Sequence, residues 1–320
     1  MCDCYGNHIL MRTLYPSKCE TRRFHSLTFL SSFFSLLSTP LCKKGEQIMF
    51  ILGTRVHDYG RGEILPLFTR IANDGFKTVQ LAYKKAVNGV YSIEDITPKI
   101  VDETLDAMEK TGISIGVLGS YVELSMCDEA KRKKAADEFI AMLPIAKKLG
   151  AHCIASETTH MANNTKGATR ADAVKQLKKS LSEIMPVAES LGVTVAVEPV
   201  FYHAMNTPEQ TRDVLDSINS PNLKVLLDPV NILSPDFEYS QTDMWQRAFK
   251  LLKNDVVAVH MKGVHYENDV PVSVPFAKSI VDYKYLFDEM NTWPQTMPVI
   301  REEVKPETAK EDVEFLKALM

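Results

Sequence analysis

The chain reads as α/β, a single closed (β/α)8 barrel over residues 49–320, on three observations. From Met49 onward, short runs rich in β-branched residues alternate with longer amphipathic ones, the pattern of parallel strands joined by helices. Eight such units follow one another, in a stretch close to the roughly 250 residues that an eightfold barrel occupies. No G-x-G-x-x-G or G-x-x-x-x-G-K-[ST] loop follows a strand, which weakens the competing doubly wound open sheet.

Taken in order, "FILGTR" (50–55) is a strand followed by the amphipathic "EILPLFTRIANDG", which stops at Gly75. "TVQLAY" (78–83) precedes a helix from Pro98 to Lys110 that Gly112 terminates. "ISIGVL" (113–118) leads to an Ala/Lys-rich helix over 128–149 ended by Gly150, and "HCIASE" (152–157) leads to a helix in "ADAVKQLKKSLSEIMPVAESLG" that stops at Gly192. Glycine after a helix is a stop signal. "VTVAVE" (193–198) precedes a helix opening at Thr207-Pro208-Glu209, where proline in the first turn is a start signal. "LKVLLD" (223–228), "VVAVHMK" (256–262) and "MPVIRE" (297–302) are followed by helices near 242–252, 282–290 and 308–319.

With 45% hydrophobic and 24% charged residues, 320 residues can bury a large core. The net charge of −4 and the lack of a basic stripe with interleaved aromatics argue against nucleic acid as a partner. Residues 1–48 stand apart as a non-barrel leader, holding Cys2, Cys4, Cys19 and Cys42, an excess of basic residues and the patch "SLTFLSSFFSLLSTPLC". That patch is Ser-rich and broken by Pro40, too short for a membrane span and unlike an ordinary secretory signal. "KKGEQIM", ending at Met49, can be encoded by a purine run containing GGAG, as a ribosome-binding site would be. A translation start at Met49 is therefore expected, with a targeting segment as the alternative. Cys127 and Cys153 alone remain in the body, no disulfide framework, so a cytoplasmic location is expected.

Active sites of such barrels lie at the C-terminal ends of the strands. Four consecutive strands close on ligand-type residues: Glu198 in "VAVEPVFYH", Asp228 in "VLLDPVN", His260 in "VAVHMK" and Glu302 in "VIREE". Singly, an acid after a strand is usually a helix cap or a solvated loop residue, and a strand histidine a satisfied core residue. Together at one height, three carboxylates and an imidazole would repel unless a cation sat between them. One divalent metal ion is expected, Mn²⁺ first, with Mg²⁺, Co²⁺ or Zn²⁺ as alternatives. Strand alternation lets only one of Glu302 and Glu303 face the interior.

"LGTRVHDYG", "VAVEPVFYHAMNTPEQT", "NLKVLLDPVN", "VVAVHMK" and "PVIREE" together resemble the sugar phosphate isomerase/epimerase family of the xylose isomerase-like TIM barrels, over essentially all of 49–320. The resemblance implies a metal held by Glu198, Asp228, His260 and Glu302, with Glu198 and Glu302 also exchanging protons with substrate. The match of "PVIRE" to the family pattern selects Glu302 over Glu303. Substrate-binding candidates are His57 and His203 on loops at the mouth, Glu157 closing the fourth strand with His160 nearby, Asn231 in the turn after Asp228, and Lys262 on the side of His260. A loop-stabilising hydrogen bond is an equal reading for the two loop histidines. His152 opens its strand and falls at the opposite face.

A metal chelating a carbonyl and an adjacent hydroxyl eases loss of the neighbouring C–H proton. The resulting cis-enediolate supports epimerisation, aldose–ketose isomerisation or β-elimination, according to where the proton returns or what leaves. The expected function is a divalent-metal-dependent isomerase/epimerase of a keto-sugar. A lyase or dehydratase of a keto-inositol or 3-keto-glycoside is the runner-up, and a non-catalytic sugar-binding barrel the rival of another class. An endonuclease would need more ligand histidines and a basic groove, whereas acidic residues outnumber basic ones over 49–320. No Gly-rich nest follows the seventh or eighth strand, so a substrate phosphate is not supported. The expected partner is a small sugar or keto-sugar derivative, with no nucleic acid and no membrane; homo-oligomerisation is left open.

Overall fold

The structure, a computed structural model, describes residues 50–234, 240–267 and 270–320. The leader read at 1–48 lies outside the described residues. The eight barrel strands are β1 (Phe50–Arg55), β2 (Thr78–Leu81), β3 (Ser114–Gly119), β4 (Cys153–Glu157), β5 (Val195–Glu198), β6 (Leu223–Leu227), β7 (Val256–Met261) and β10 (Met297–Arg301). All pair in parallel, in the order β1-β10-β7-β6-β5-β4-β3-β2, and the sheet closes on itself. It is a single (β/α)8 TIM barrel.

Around the barrel run α1 (Ile64–Asn73), α3 (Pro98–Thr111), α4 (Glu129–Leu149), α5 (Arg170–Leu191), α6 (Pro208–Ile218), α7 (Gln241–Leu252), α8 (Tyr283–Met290) and α9 (Ala309–Lys317). The cap chemistry legible in the sequence sets their ends. Thr97, Asp128, Thr169 and Thr207 each accept a hydrogen bond from an amide in the first turn. Gly112, Gly150 and Gly192 close their helices in the left-handed region, which disfavours any side chain. Among the described residues no helix is long and apolar enough to cross a membrane.

Two elements depart from the expected pattern. β2 ends at Leu81, and the chain then makes a one-turn helix α2 (Tyr83–Ala86), because Tyr83 and Ala86 both turn into the core. After β7 the chain forms an antiparallel hairpin, β8 (Val264–Glu267) with β9 (Val270–Ser273), where a plain connection was expected. Gly263 makes the hairpin's return possible: a Cβ there would lie 2.1 Å from the Val274 carbonyl oxygen.

The apolar core divides in two. The larger part fills the space between barrel and helices. The smaller consists of Val117, Cys153, Ala155, Ala196, Leu226, Ala258 and Ile300, contributed by six different strands. These are the inward residues of the barrel, and Gly53 completes the packing, since a Cβ there would meet Thr78 and Ile300 at under 3 Å. Strand side chains alternate, so the residues two further along face the same way, one layer higher. That layer holds Arg55, Glu157, Glu198, Asp228, His260 and Glu302, with Gln80 from β2.

Candidate metal centre and active site

Two of the four strand-end residues close the apolar runs from within: Glu198 is the last residue of β5 and His260 the penultimate residue of β7. Asp228 and Glu302 directly follow β6 and β10. All four are buried, Asp228 completely.

In each of Glu198, Asp228 and His260 one polar atom is tied back to the protein and the other points inward. Asp228 Oδ1 accepts from the backbone N–H groups of Val230 (2.7 Å) and Asn231 (3.1 Å). Glu198 Oε1 accepts from Asn231 Nδ2 at 2.7 Å. His260 Nε2 lies 2.6 Å from Gln80 Oε1, and Gln80 Nε2 in turn donates to the Tyr121 hydroxyl at 2.8 Å. This orients the Gln80 amide so that Nε2 of the neutral imidazole carries the hydrogen and Nδ1 keeps its lone pair.

The remaining atoms converge. One ligand atom from each of Glu198, Asp228 and His260 lies within 4.8 Å of the others, a group able to hold a metal ion. His260 Nδ1 is 3.5 Å from Glu198 Oε2 and 3.1 Å from Glu302 Oε1. Among the described residues, His260 Nδ1 is buried and makes no hydrogen bond of its own beside the Glu302 carboxylate, while buried Asp228 Oδ2 faces the Lys262 ammonium at 2.9 Å. A buried imidazole nitrogen left without a hydrogen bond is costly, and its grouping with two buried carboxylates fits a divalent cation. Two oxygens and one imidazole nitrogen suit Mn²⁺, Mg²⁺, Co²⁺ or Zn²⁺.

Glu302 stands beside this group with both oxygens engaged. Arg55 Nη1 donates to Oε1 at 3.2 Å and Lys262 Nζ to Oε2 at 3.1 Å. Burial alone would raise its carboxyl, but His260, Lys262 and Arg55 outweigh it and hold Glu302 far below the usual carboxylate range. Burial likewise disfavours the imidazolium of His260, yet Glu302 and Glu198 raise it to about 9. Asp228 is shifted up by burial, against the pull of Lys262. Glu303 leaves the strand in the left-handed region (φ 59°) and lines the outer cleft, so Glu302 is the one of the pair that faces the interior. Arg301 points the other way, donating to Asp312 on α9 at 2.8 Å.

The substrate-binding candidates other than His57 divide between two hollows at the mouth. Asn231 and Lys262 line a cavity of about 340 Å³ with Val200, Tyr202, Val264 and Tyr266. Glu157, His160 and His203 line another of about 210 Å³ with Tyr121. Adjacent residues of the loop after β5, Tyr202 and His203, thus face different hollows. His203 Nε2 is 3.7 Å from Glu157 Oε2, and the His160 and His203 rings lie 5.3 Å apart, edge to face. Burial next to Glu198 and Glu302 pushes Glu157 up to about 7. His57 sits in a 3₁₀ turn after β1 against Tyr121, and burial, with Arg55 and Lys85 beside it, lowers it to about 3. His152 is at the far end of β4, against the Val257 carbonyl at 3.0 Å.

Arg55, Gln80 and Tyr121 were not singled out from the sequence. Gln80 had a signal, an amide inside the apolar run "TVQLAY", and Arg55 closes "FILGTR". Tyr121 had none.

The Xylose isomerase-like TIM barrel family model matches residues 68–319, and the chain belongs to that family. Among solved structures it is similar to a 3-keto-D-glucoside 4-epimerase from E. coli, 16% identical over 84% of this chain and 99% of that one, with a TM-score of 0.66. It is similar to the same extent to a D-psicose 3-epimerase from Clostridium cellulolyticum H10 solved with D-tagatose, at 16% identity, 84% and 99% coverage and a TM-score of 0.66. A probable 3-DHS dehydratase from Bacillus anthracis is 14% identical over 83% and 98% of the two chains, with a TM-score of 0.63. At these identities the likeness is one of fold. No individually curated protein matches the chain.

Proposed function

We infer that this protein is a divalent-metal-dependent isomerase or epimerase of a keto-sugar, acting in the cytoplasm through a cis-enediolate. The observation that supports this best is the convergence of one ligand atom each from Glu198, Asp228 and His260, whose other polar atoms are held by the protein, beside the ionised Glu302. Those three atoms would hold the cation, Mn²⁺ first, with Glu302 as the fourth residue of the set. Once bound, the cation supplies a Lewis acid that polarises a substrate carbonyl and eases ionisation of the adjacent C–H.

The chain's own groups do the rest. Glu198 and Glu302 come from β5 and β10, with β6 and β7 between them, so they approach a bound sugar from different directions. One takes the proton from carbon and the other returns it. Asn231 fixes the Glu198 carboxylate and Arg55 fixes that of Glu302, keeping both within reach of one substrate position. His203, Glu157 and His57 offer hydrogen bonds to sugar hydroxyls on one side, and Asn231 and Lys262 on the other.

A second reading, β-elimination from a keto-inositol or 3-keto-glycoside, is favoured by one feature. The Lys262 ammonium lies next to Glu302, a cation that would stabilise the negative charge of a leaving oxygen. Incubation of Mn²⁺-loaded protein with a panel of keto-sugars in D₂O, followed by NMR, tests both. Deuterium at the carbon next to the carbonyl with an epimer or isomer as product supports the first reading, and an unsaturated product the second. Either signal should vanish in Glu198→Gln and Asp228→Asn. Sugar binding without exchange by the metal-loaded protein would leave a sugar-binding barrel.

A further inference from the structure

Lys262 follows His260 by two residues, just past the end of β7, and its side chain is only 13% exposed. Its ammonium is 2.9 Å from Asp228 Oδ2, 3.1 Å from Glu302 Oε2 and 2.6 Å from Asn231 Oδ1. Asp228 Oδ1 is occupied by two backbone amides, so Oδ2 is the one Asp228 atom open to a metal. It is also the atom that Lys262 faces. Glu302 Oε1 is likewise engaged by Arg55, which leaves Oε2 to Lys262. The ammonium therefore stands against the Asp228 oxygen that a divalent cation would also claim, and against Glu302, the fourth residue of the proposed set.

Two cations at the same buried carboxylate repel, and the full burial of Asp228 weakens solvent screening of that repulsion. The lysine has somewhere to go. Lys262 and Asn231 both line the cavity of about 340 Å³ outside the centre, so the space that a different side-chain rotamer of Lys262 would need is present next to it. The adjoining backbone is tied to the hairpin, the Val274 N–H donating to the Gly263 carbonyl at 3.1 Å.

We propose that Lys262 is a tethered cation that neutralises the metal-binding carboxylates of the metal-free protein and is displaced by the arriving divalent ion into the adjoining cavity, where its ammonium holds a substrate oxygen. The proposal rests on the metal-dependent reading above and deepens it. It couples the two binding events: metal loading delivers the positive charge to the substrate side of the cleft, so the cavity acquires its anion- or hydroxyl-binding group only when the centre is complete.

The test needs no turnover. Mn²⁺ affinity is measured by calorimetry on the full-length protein, on Lys262→Met, which keeps an unbranched apolar stem without the charge, and on Lys262→Arg, which keeps the charge. Removal of the competing charge should tighten Mn²⁺ binding about tenfold, the scale of effect that groups behind a metal's ligands exert, while Lys262→Arg stays close to the unaltered protein. In parallel, the unaltered protein is treated with an amine-acylating ester with and without Mn²⁺, and the modified lysines are mapped by mass spectrometry. Acylation of Lys262 should rise several-fold when Mn²⁺ is bound. Mn²⁺ binding that is equal or weaker in a folded Lys262→Met, or acylation of Lys262 that does not rise with Mn²⁺, overturns the exchange and leaves the metal centre standing. Failure of the unaltered protein to bind Mn²⁺, Mg²⁺, Co²⁺ or Zn²⁺ overturns both readings.

Discussion

At His260 one ring nitrogen is held by Gln80 at 2.6 Å and the other turns toward Glu198 and Glu302, so a single amide sets the tautomer of a buried imidazole. Partners of this kind typically tune metal affinity by about 10- to 100-fold, and Gln80→Leu should weaken Mn²⁺ binding by that order, read by calorimetry, with the circular dichroism unchanged. Equal affinity would mean that the ring is oriented without Gln80. Glu157 carries a different signature. Its pKa is raised from 4.5 to about 7, so the folded protein binds the proton more tightly than the unfolded chain does. Stability should therefore fall as pH rises from 4.5 to about 7, and Glu157→Gln should flatten that part of a melting-temperature profile. A profile identical to that of the unaltered protein would remove Glu157 as its source. The inward setting of Glu198, Asp228, His260 and Glu302 was legible because a polar residue closing an apolar run stands out locally. The amide of Gln80 also stands out in its apolar run, but its role does not, because that role depends on a partner 180 residues away.

Between elements, the Arg301–Asp312 pair fastens the last strand to the last helix, and both side chains are almost fully buried. Removing one partner of such a pair costs about 3–5 kcal/mol, because the other charge is left buried and alone. Arg301→Ala should lower the urea midpoint accordingly, whereas Glu303→Ala, one layer out, should change stability by no more than about 0.5 kcal/mol. A small effect at Arg301 would mean that Asp312 finds water or another donor. The sequence shows an arginine where the apolar rhythm of "MPVIRE" expects a hydrophobic residue. Only the packing shows that it faces outward onto α9 and leaves the alternation that brings Glu302 inside intact. The eight strands and their helices were readable from period and caps. The β8–β9 hairpin was not, because "VHYENDVPVS" has a proline and several polar residues, and its strands are specified by each other and by the close approach at Gly263.

For the molecule as a whole, β1 pairs with both β2 and β10, and this closure brings residues from opposite ends of the chain to one mouth. Arg55 and Glu302, 247 residues apart, meet there. A ligand that binds only the closed barrel stabilises it by mass action, by about 2.7 kcal/mol at a free concentration of about 100 times its Kd. Mn²⁺ should therefore raise the melting temperature and a chelator reverse the rise, with Asp228→Asn unresponsive to both. The effect should grow with pH. Without metal, protonation of His260, its pKa raised from 6.5 to about 9, stabilises the fold fully below 6.5 and is lost as pH rises through about 9. The metal takes the same nitrogen and no longer competes with a proton once that window is passed. A metal-induced shift that is flat with pH would place the ion away from His260.

The barrel, the order of its units and the height at which its polar residues cluster were readable along the chain, because burial period, caps and helix stops are properties of neighbouring residues. The tertiary structure decided which atom of each side chain is tied back and which faces inward. It also decided that Lys262 reaches the carboxylates and that two hollows flank the centre. Those outcomes depend on hydrogen bonds between strands far apart in the chain, and no local pattern encodes the partner.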